Sequence, residues 1–182
     1  LTMSDIDHVG FYEKPLLKLE RVLYQHLATF PHGFRSFIGT IPSWPTKKLR
    51  IIHTLRKHGY RKDVIFINHH MSHAASFLLS PYKKAAIVSV DGVGEWTTTA
   101  YGIGEGNEIS LHGEIRYPHS IGLLYSTITA LLGFRVNNSE YKVMALAAYG
   151  KKRNNPYYTR LKQIIDINED GSFSLKLRYF AF

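Results

Sequence analysis

Residues 64–73 read Val64-Ile65-Phe66-Ile67-Asn68-His69-His70-Met71-Ser72-His73, a continuous apolar run followed by three histidines in five positions. Such a run is the pattern of a strand buried on both faces, the kind found where helices cover a sheet. A helix is expected directly after it, over 69–79, closed by Pro81. The pattern recurs at Ala85-Ala86-Ile87-Val88-Ser89-Val90, a second strand of the buried type that ends at Asp91-Gly92. Strands of this type usually lie side by side, which would bring Asp91 near His69 and His73. Strands alternating with helices give the fold class: α/β, a mixed sheet with flanking helices.

The flanking sequence agrees with that class. Pro15 opens the periodic run LLKLERVLYQHLATF, with proline where a first helical turn tolerates it. Pro31, Gly33, Pro42 and Pro45 punctuate a loop-rich stretch, and a second helix is expected from about Pro45 to His58, stopping at Gly59. Thr97 to Gly102 and Ile109 to Tyr117 flank the turn-rich GEGN and read as an antiparallel hairpin. Helices are expected over 120–132, 139–148 and 157–165, with Ser120 as a cap. Asp170-Gly171 marks a turn into a last strand, and the final residues LKLRYFAF read as a strand in progress. Two segments follow: a basic helical part over 1–62 and an α/β part over 63–182.

Composition narrows the function classes. The chain has 182 residues, 45% hydrophobic and 13% aromatic, too apolar for a disordered tail. No apolar run approaches the roughly 18 residues a membrane span needs, and the opening LTMSDIDHVGF is not a secretory signal. The absence of cysteine excludes a disulfide scaffold and a thiolate zinc site, and suits a reducing cytoplasm. The net charge of +9 is uneven: residues 1–62 hold eleven Lys/Arg against four Asp/Glu. Clustered basic residues can mark a nucleic-acid face. Here Lys47, Lys48, Arg50, Arg56 and Lys57 share helical spacing with Leu49, Ile51, Ile52 and Leu55, which is the solvated face of an amphipathic helix. No nucleic-acid motif accompanies them.

Three segments carry chemistry. His69 and His73 lie one helical turn apart, the spacing at which two imidazoles grip one metal ion. No Glu separates them, so the zinc-protease pattern is absent. Val90-Asp91-Gly92-Val93-Gly94-Glu95 places a carboxylate at a strand end before two glycines, which lets backbone amides approach a ligand; Asp-Gly is equally a common turn. Two imidazoles and a carboxylate form a set suited to divalent iron, manganese or zinc. In the third segment, a polar cluster from Asn137 to Lys142 precedes the apolar VMALAAYG, and composition alone gives its residues only a loop and a helix start.

NHHMSHAAS, VDGVGEW, PHSIGLLYSTITALLGF and NNSEYKVMALAAYG, in this order after DIDHVGFYEKPLLK, together resemble the NodU/CmcH-type carbamoyltransferases. The resemblance covers nearly the whole chain. It implies a place in the actin/hexokinase (ribonuclease H-like) superfamily, akin to the TsaD tRNA-modification proteins, as an incomplete N-terminal domain. It also implies O-carbamoyl transfer to a hydroxyl of a sugar, antibiotic or similar small molecule. A YrdC-like domain of the same full-length chain would make carbamoyl-adenylate from ATP and carbamoyl phosphate.

Carried to this sequence, the resemblance makes His69, His73 and Asp91 ligands of a divalent metal, iron first, with manganese or zinc as alternatives. Gly92 and Gly94 would let amides meet the adenylate. Asn137, Glu140 and Lys142 would contact the carbamoyl or phosphate group, and His70 would shuttle a proton. The chain departs from the family where Asn138-Ser139 replaces Ser-Gly, and where Ala145 and Ala148 replace the glycine and proline of MGLAPYG. The family's N-terminal strand would precede Leu1, and a further carboxylate and the YrdC-like domain would follow Phe182. The isolated piece is therefore not expected to catalyse the full reaction. A TsaD-type tRNA-modifying transferase, a superfamily kinase or ATPase and a basic nucleic-acid-binding module are the competing readings. DGVGEW and EYKVM favour the small-molecule enzymes, and the histidine cluster has no task in a kinase.

Overall fold

Val9–Phe11 (β1) and Val64–Phe66 (β2) pair in parallel, Val9 opposite Val64 and Phe11 opposite Phe66, in the computed structural model, which describes residues 2–46, 48–151 and 155–180. Among the described residues between them run the α-helices α1 (Pro15–Ala28), α2 (Phe34–Thr40), α3 (Ser43–Thr46) and α4 (Ile51–Lys57). A parallel pair needs such a crossover, because a hairpin turn cannot reverse the chain twice. After β2 come α5 (His69–Ala74) and a 3-10 turn over Ala75–Leu79.

The chain then builds an antiparallel sheet, β3 (Lys84–Val90), β4 (Thr97–Glu105) and β5 (Glu108–Arg116), in the order β3-β4-β5. Helices α6 (Ile121–Leu131), α7 (Glu140–Ala147) and α8 (Pro156–Lys162) follow, and a small antiparallel pair, β6 (Ile165–Ile167) and β7 (Phe173–Leu175), closes the described chain. Two compact units result. One takes in Leu1–Lys83 with Gly94–Trp96, the other Lys84–Val93 with Thr97–Ala181.

The first unit is centred on aromatic and aliphatic groups, with Trp44 1%, Tyr60 2%, Phe77 6% and Val22 9% exposed. The core of the second is largely hydroxylic. Thr98, Ser120 and Thr129 are fully buried beside Ala100 and Leu175. Buried hydroxyls must be hydrogen-bonded, and these are: Thr98 donates to the carbonyls of Ile115 or His119, and Thr129 to that of Tyr125.

The α/β class holds, with parallel and antiparallel pairings in separate sheets. β2 and β3 belong to different sheets, β2 pairing with β1 and β3 with β4, so the expected side-by-side pairing is not formed among the described residues. Neither strand is buried on both faces: Ile65 is 54% exposed, Val88 69% and Val90 53%. Each has one partner strand among the described residues, so a continuous apolar run does not guarantee a covered strand.

Other expectations shift locally. The helix from Pro45 to His58 resolves into α3, a 3-10 turn over Lys48–Arg50, and α4, which stops at Gly59 as expected; Lys47 lies outside the described residues. The stretch expected to be loop contains α2, for which Gly33 is the N-cap rather than a breaker. The terminal strand ends at Leu175, opposite Ile165 where β6 begins, with one further backbone bond from the Lys176 amide to the Ile164 carbonyl at 2.9 Å. Leu177–Tyr179 forms a 3-10 turn, and residues 181–182 lie outside the described residues. The hairpin, the Ser120 cap, α7 and α8 lie where the sequence placed them, to within a few residues.

Candidate functional site

In the first unit, β2 delivers the chain to Asn68, whose side-chain oxygen accepts the His70 amide at 3.1 Å and caps α5. With the helix started there, His69 and His73 share a face. Their rings stand nearly perpendicular, 86°, with centroids 4.6 Å apart, and their Nε2 atoms face each other at 3.0 Å. Two imidazole nitrogens bound to one ion at about 2.1 Å are separated by roughly 3.0–3.4 Å for right-angle to tetrahedral geometry. The pair therefore fits a shared metal. His73 is exposed and His69 half-buried, so the pair is reachable from solvent.

His70 is 1% exposed, with its ring centroid 5.7 Å from that of His69 and 6.1 Å from that of His73. Tyr12 meets His69 edge-on at 6.2 Å, and Ser72 donates to the Tyr12 carbonyl at 3.1 Å. These contacts fasten α5 to the end of β1.

Glu95, 2% exposed, belongs to the same unit. Its Oε1 accepts the Lys14 amide at 2.7 Å and the His69 amide at 3.1 Å, and its Oε2 lies 3.2 Å from the latter. At Gly94 a Cβ would stand 2.9 Å from the His69 Cβ, so only glycine lets the chain pass this close. Sequence reasoning gave Glu95 no role. The signal was present, an acid directly after two glycines, but its partners are 81 and 26 residues away.

In the second unit, Asp91 follows β3 and its amide donates to the Thr98 carbonyl at 2.9 Å. The Gly92 amide donates to Asp91 Oδ1 at 2.6 Å. Ser120 caps α6 by accepting the Leu123 amide at 3.0 Å, and donates in turn to the Gly92 carbonyl at 2.6 Å. Gly122 completes this packing, since a Cβ there would stand 2.4 Å from the Asp91 carbonyl oxygen.

The Asn137–Lys142 segment turns at Asn137, which takes the left-handed φ of 60°. Glu140 Oε1 accepts the Asn137 amide at 2.7 Å and the Ser126 hydroxyl at 3.3 Å. The Asn137 amide, first among the hydrogen bonds it receives, holds the Glu140 carboxyl below its ordinary value of 4.5. Lys142 Nζ lies 5.9 Å from the Phe134 ring centroid and 6.0 Å from that of Tyr141. The structure thus brings His69, His70 and His73 together in one unit, and joins Asn137 to Glu140 in the other.

A family model described as carbamoyltransferase N-terminus matches residues 1–182. An uncharacterized protein of Synechocystis is 43% identical over 194 residues, which cover all of this chain and 31% of that protein. Nodulation protein NolNO of Sinorhizobium fredii is 30% identical over 115 residues, covering 63% of this chain and 16% of its own. Nodulation protein NolO of Bradyrhizobium diazoefficiens is 30% identical over 112 residues, covering 61% of this chain and 20% of its own. The chain spans less than a third of the length of these relatives. No helix among the described residues is long and apolar enough to cross a membrane.

Proposed function

The chain belongs to the carbamoyltransferase N-terminus family, and from that premise we propose that it is the acceptor-side portion of an O-carbamoyltransferase. The intact protein would transfer a carbamoyl group from carbamoyl-adenylate, made from ATP and carbamoyl phosphate by a YrdC-like domain, to a hydroxyl of a sugar, antibiotic or similar small molecule. The parent fold is the actin/hexokinase type.

The observation that carries the reading is the imidazole pair of His69 and His73, whose Nε2 atoms meet at 3.0 Å. Both rings must be neutral at Nε2 to bind an ion, with the remaining proton on Nδ1. The resemblance adds the Asp91 carboxylate to this set. A divalent ion, iron before manganese or zinc, would polarise the carbamoyl oxygen or gather phosphate oxygens as a Lewis acid.

The chain's own residues have separate tasks. His69 and His73 hold the ion, and His70, the buried imidazole beside them, is the proposed carrier of the acceptor hydroxyl proton. Gly92 and Gly94 keep the role toward the adenylate that the resemblance gives them. Lys142 is the cation for the carbamoyl or phosphate group, and Asn137 and Glu140 shape the turn that presents it. The test is mass spectrometry of the intact protein incubated with ATP, carbamoyl phosphate and a panel of hydroxyl acceptors. A product heavier by one carbamoyl group is expected, only when both ATP and carbamoyl phosphate are present. Carbamoylation independent of ATP, or none on any acceptor, contradicts the proposal.

A further inference from the structure

We propose that Glu95 is the positioning residue of the imidazole pair, its buried carboxylate holding the first amide of α5 and so fixing where His69 and His73 aim. This rests on the metal reading above and adds a residue to it. Lys14 is the N-cap of α1 and His69 the first residue of α5. Amides at a helix start have no partner within the helix. One Glu95 oxygen serves both, at 2.7 and 3.1 Å. Hydrogen bonds to an ionised acceptor are the stronger kind, and burial keeps water from competing for them.

The adjacent glycine acts on the other end of the same residue. A Cβ at position 94 would stand 2.9 Å from His69 Cβ and 3.0 Å from its Cδ2. Gly94 thus lets the ring lie against the backbone, while Glu95 fixes the amide. With the His69 backbone held at one point and its ring limited on one side, the direction of Nε2 is set, and His73 follows one turn later along the helix. A two-residue stretch far from α5 in sequence therefore determines the geometry of the pair.

The experiment uses Co2+ as the probe in the intact protein. Affinity is read by calorimetry, coordination geometry by the visible spectrum of bound Co2+, and the amides by hydrogen exchange. Glu95→Ala should weaken Co2+ binding by about 10- to 100-fold, the usual cost of losing a group that orients a ligand, and should speed exchange at Lys14 and His69. Glu95→Gln keeps a carbonyl oxygen for both amides and should restore affinity and protection toward wild type. Gly94→Ala should shift the Co2+ spectrum by displacing the His69 ring. A Glu95→Ala protein that melts earlier but binds Co2+ with wild-type affinity and spectrum overturns the proposal. If wild type and His69→Ala bind Co2+ alike, the metal reading fails on its own. The exchange data then decide whether Glu95 holds α5: unchanged protection in Glu95→Ala overturns it, and lost protection at both amides supports it.

Discussion

The histidine helix of the first unit and the Asn137–Lys142 segment of the second are both polar stretches at a helix start, and different groups meet their backbone amides. At α5 the backbone needs are met by Asn68 and Glu95, and the imidazole nitrogens of His69 and His73 face each other. At α7 the Glu140 carboxylate is itself the group that closes the turn, through Asn137 and Ser126. The imidazole pair has the spacing two ligands of one ion would take, whereas Glu140 closes the turn ahead of Lys142.

Substitutions can break this contrast. The largest effect is expected at the pair: His69→Ala should lower divalent-metal affinity by more than the roughly 100-fold that loss of an orienting group can cost. Lys142→Ala should leave that affinity unchanged, and calorimetry of both variants checks the difference. Next comes Gly122→Ala, which drives a methyl group into the Asp91 carbonyl 2.4 Å away and should cost on the order of 3 kcal/mol in urea unfolding. Ser120→Ala removes an N-cap and the hydroxyl that donates to the half-buried Gly92 carbonyl, for about 1–2 kcal/mol in the same assay.

The smallest effect sharpens the role of Glu140. Its carboxyl is held below 4.5 in the folded chain, so the unfolded chain binds the proton more readily. The stabilisation it gives is complete above that ordinary value and is lost as pH falls through the lowered folded one. An NMR titration should show the Asn137 amide resonance moving with this group below pH 4.5. In Glu140→Gln the movement should vanish.

Much of this was legible in the sequence because it is local. The i, i+4 spacing of His69 and His73 needed only a helix start at Asn68, and Ser120 caps through a residue three positions on. Proline at the first turn marked α1 in the same way. What escaped notice is long-range. β1 has three residues and exists through its pairing with β2 some 55 positions later. Glu95 gains its meaning from Lys14 and His69, neither of which its own neighbourhood announces. The exposure of Ile65 and Val88 likewise depends on how many strands flank them, which an apolar run does not encode.

The central claim, that the imidazole pair of this carbamoyltransferase-family chain holds a divalent ion, is tested most directly by elemental analysis of the purified intact protein. The wild type should carry close to one divalent ion per chain, and the His69→Ala/His73→Ala double variant, folded by circular dichroism, should carry almost none. Equal metal content in the two proteins would contradict the account.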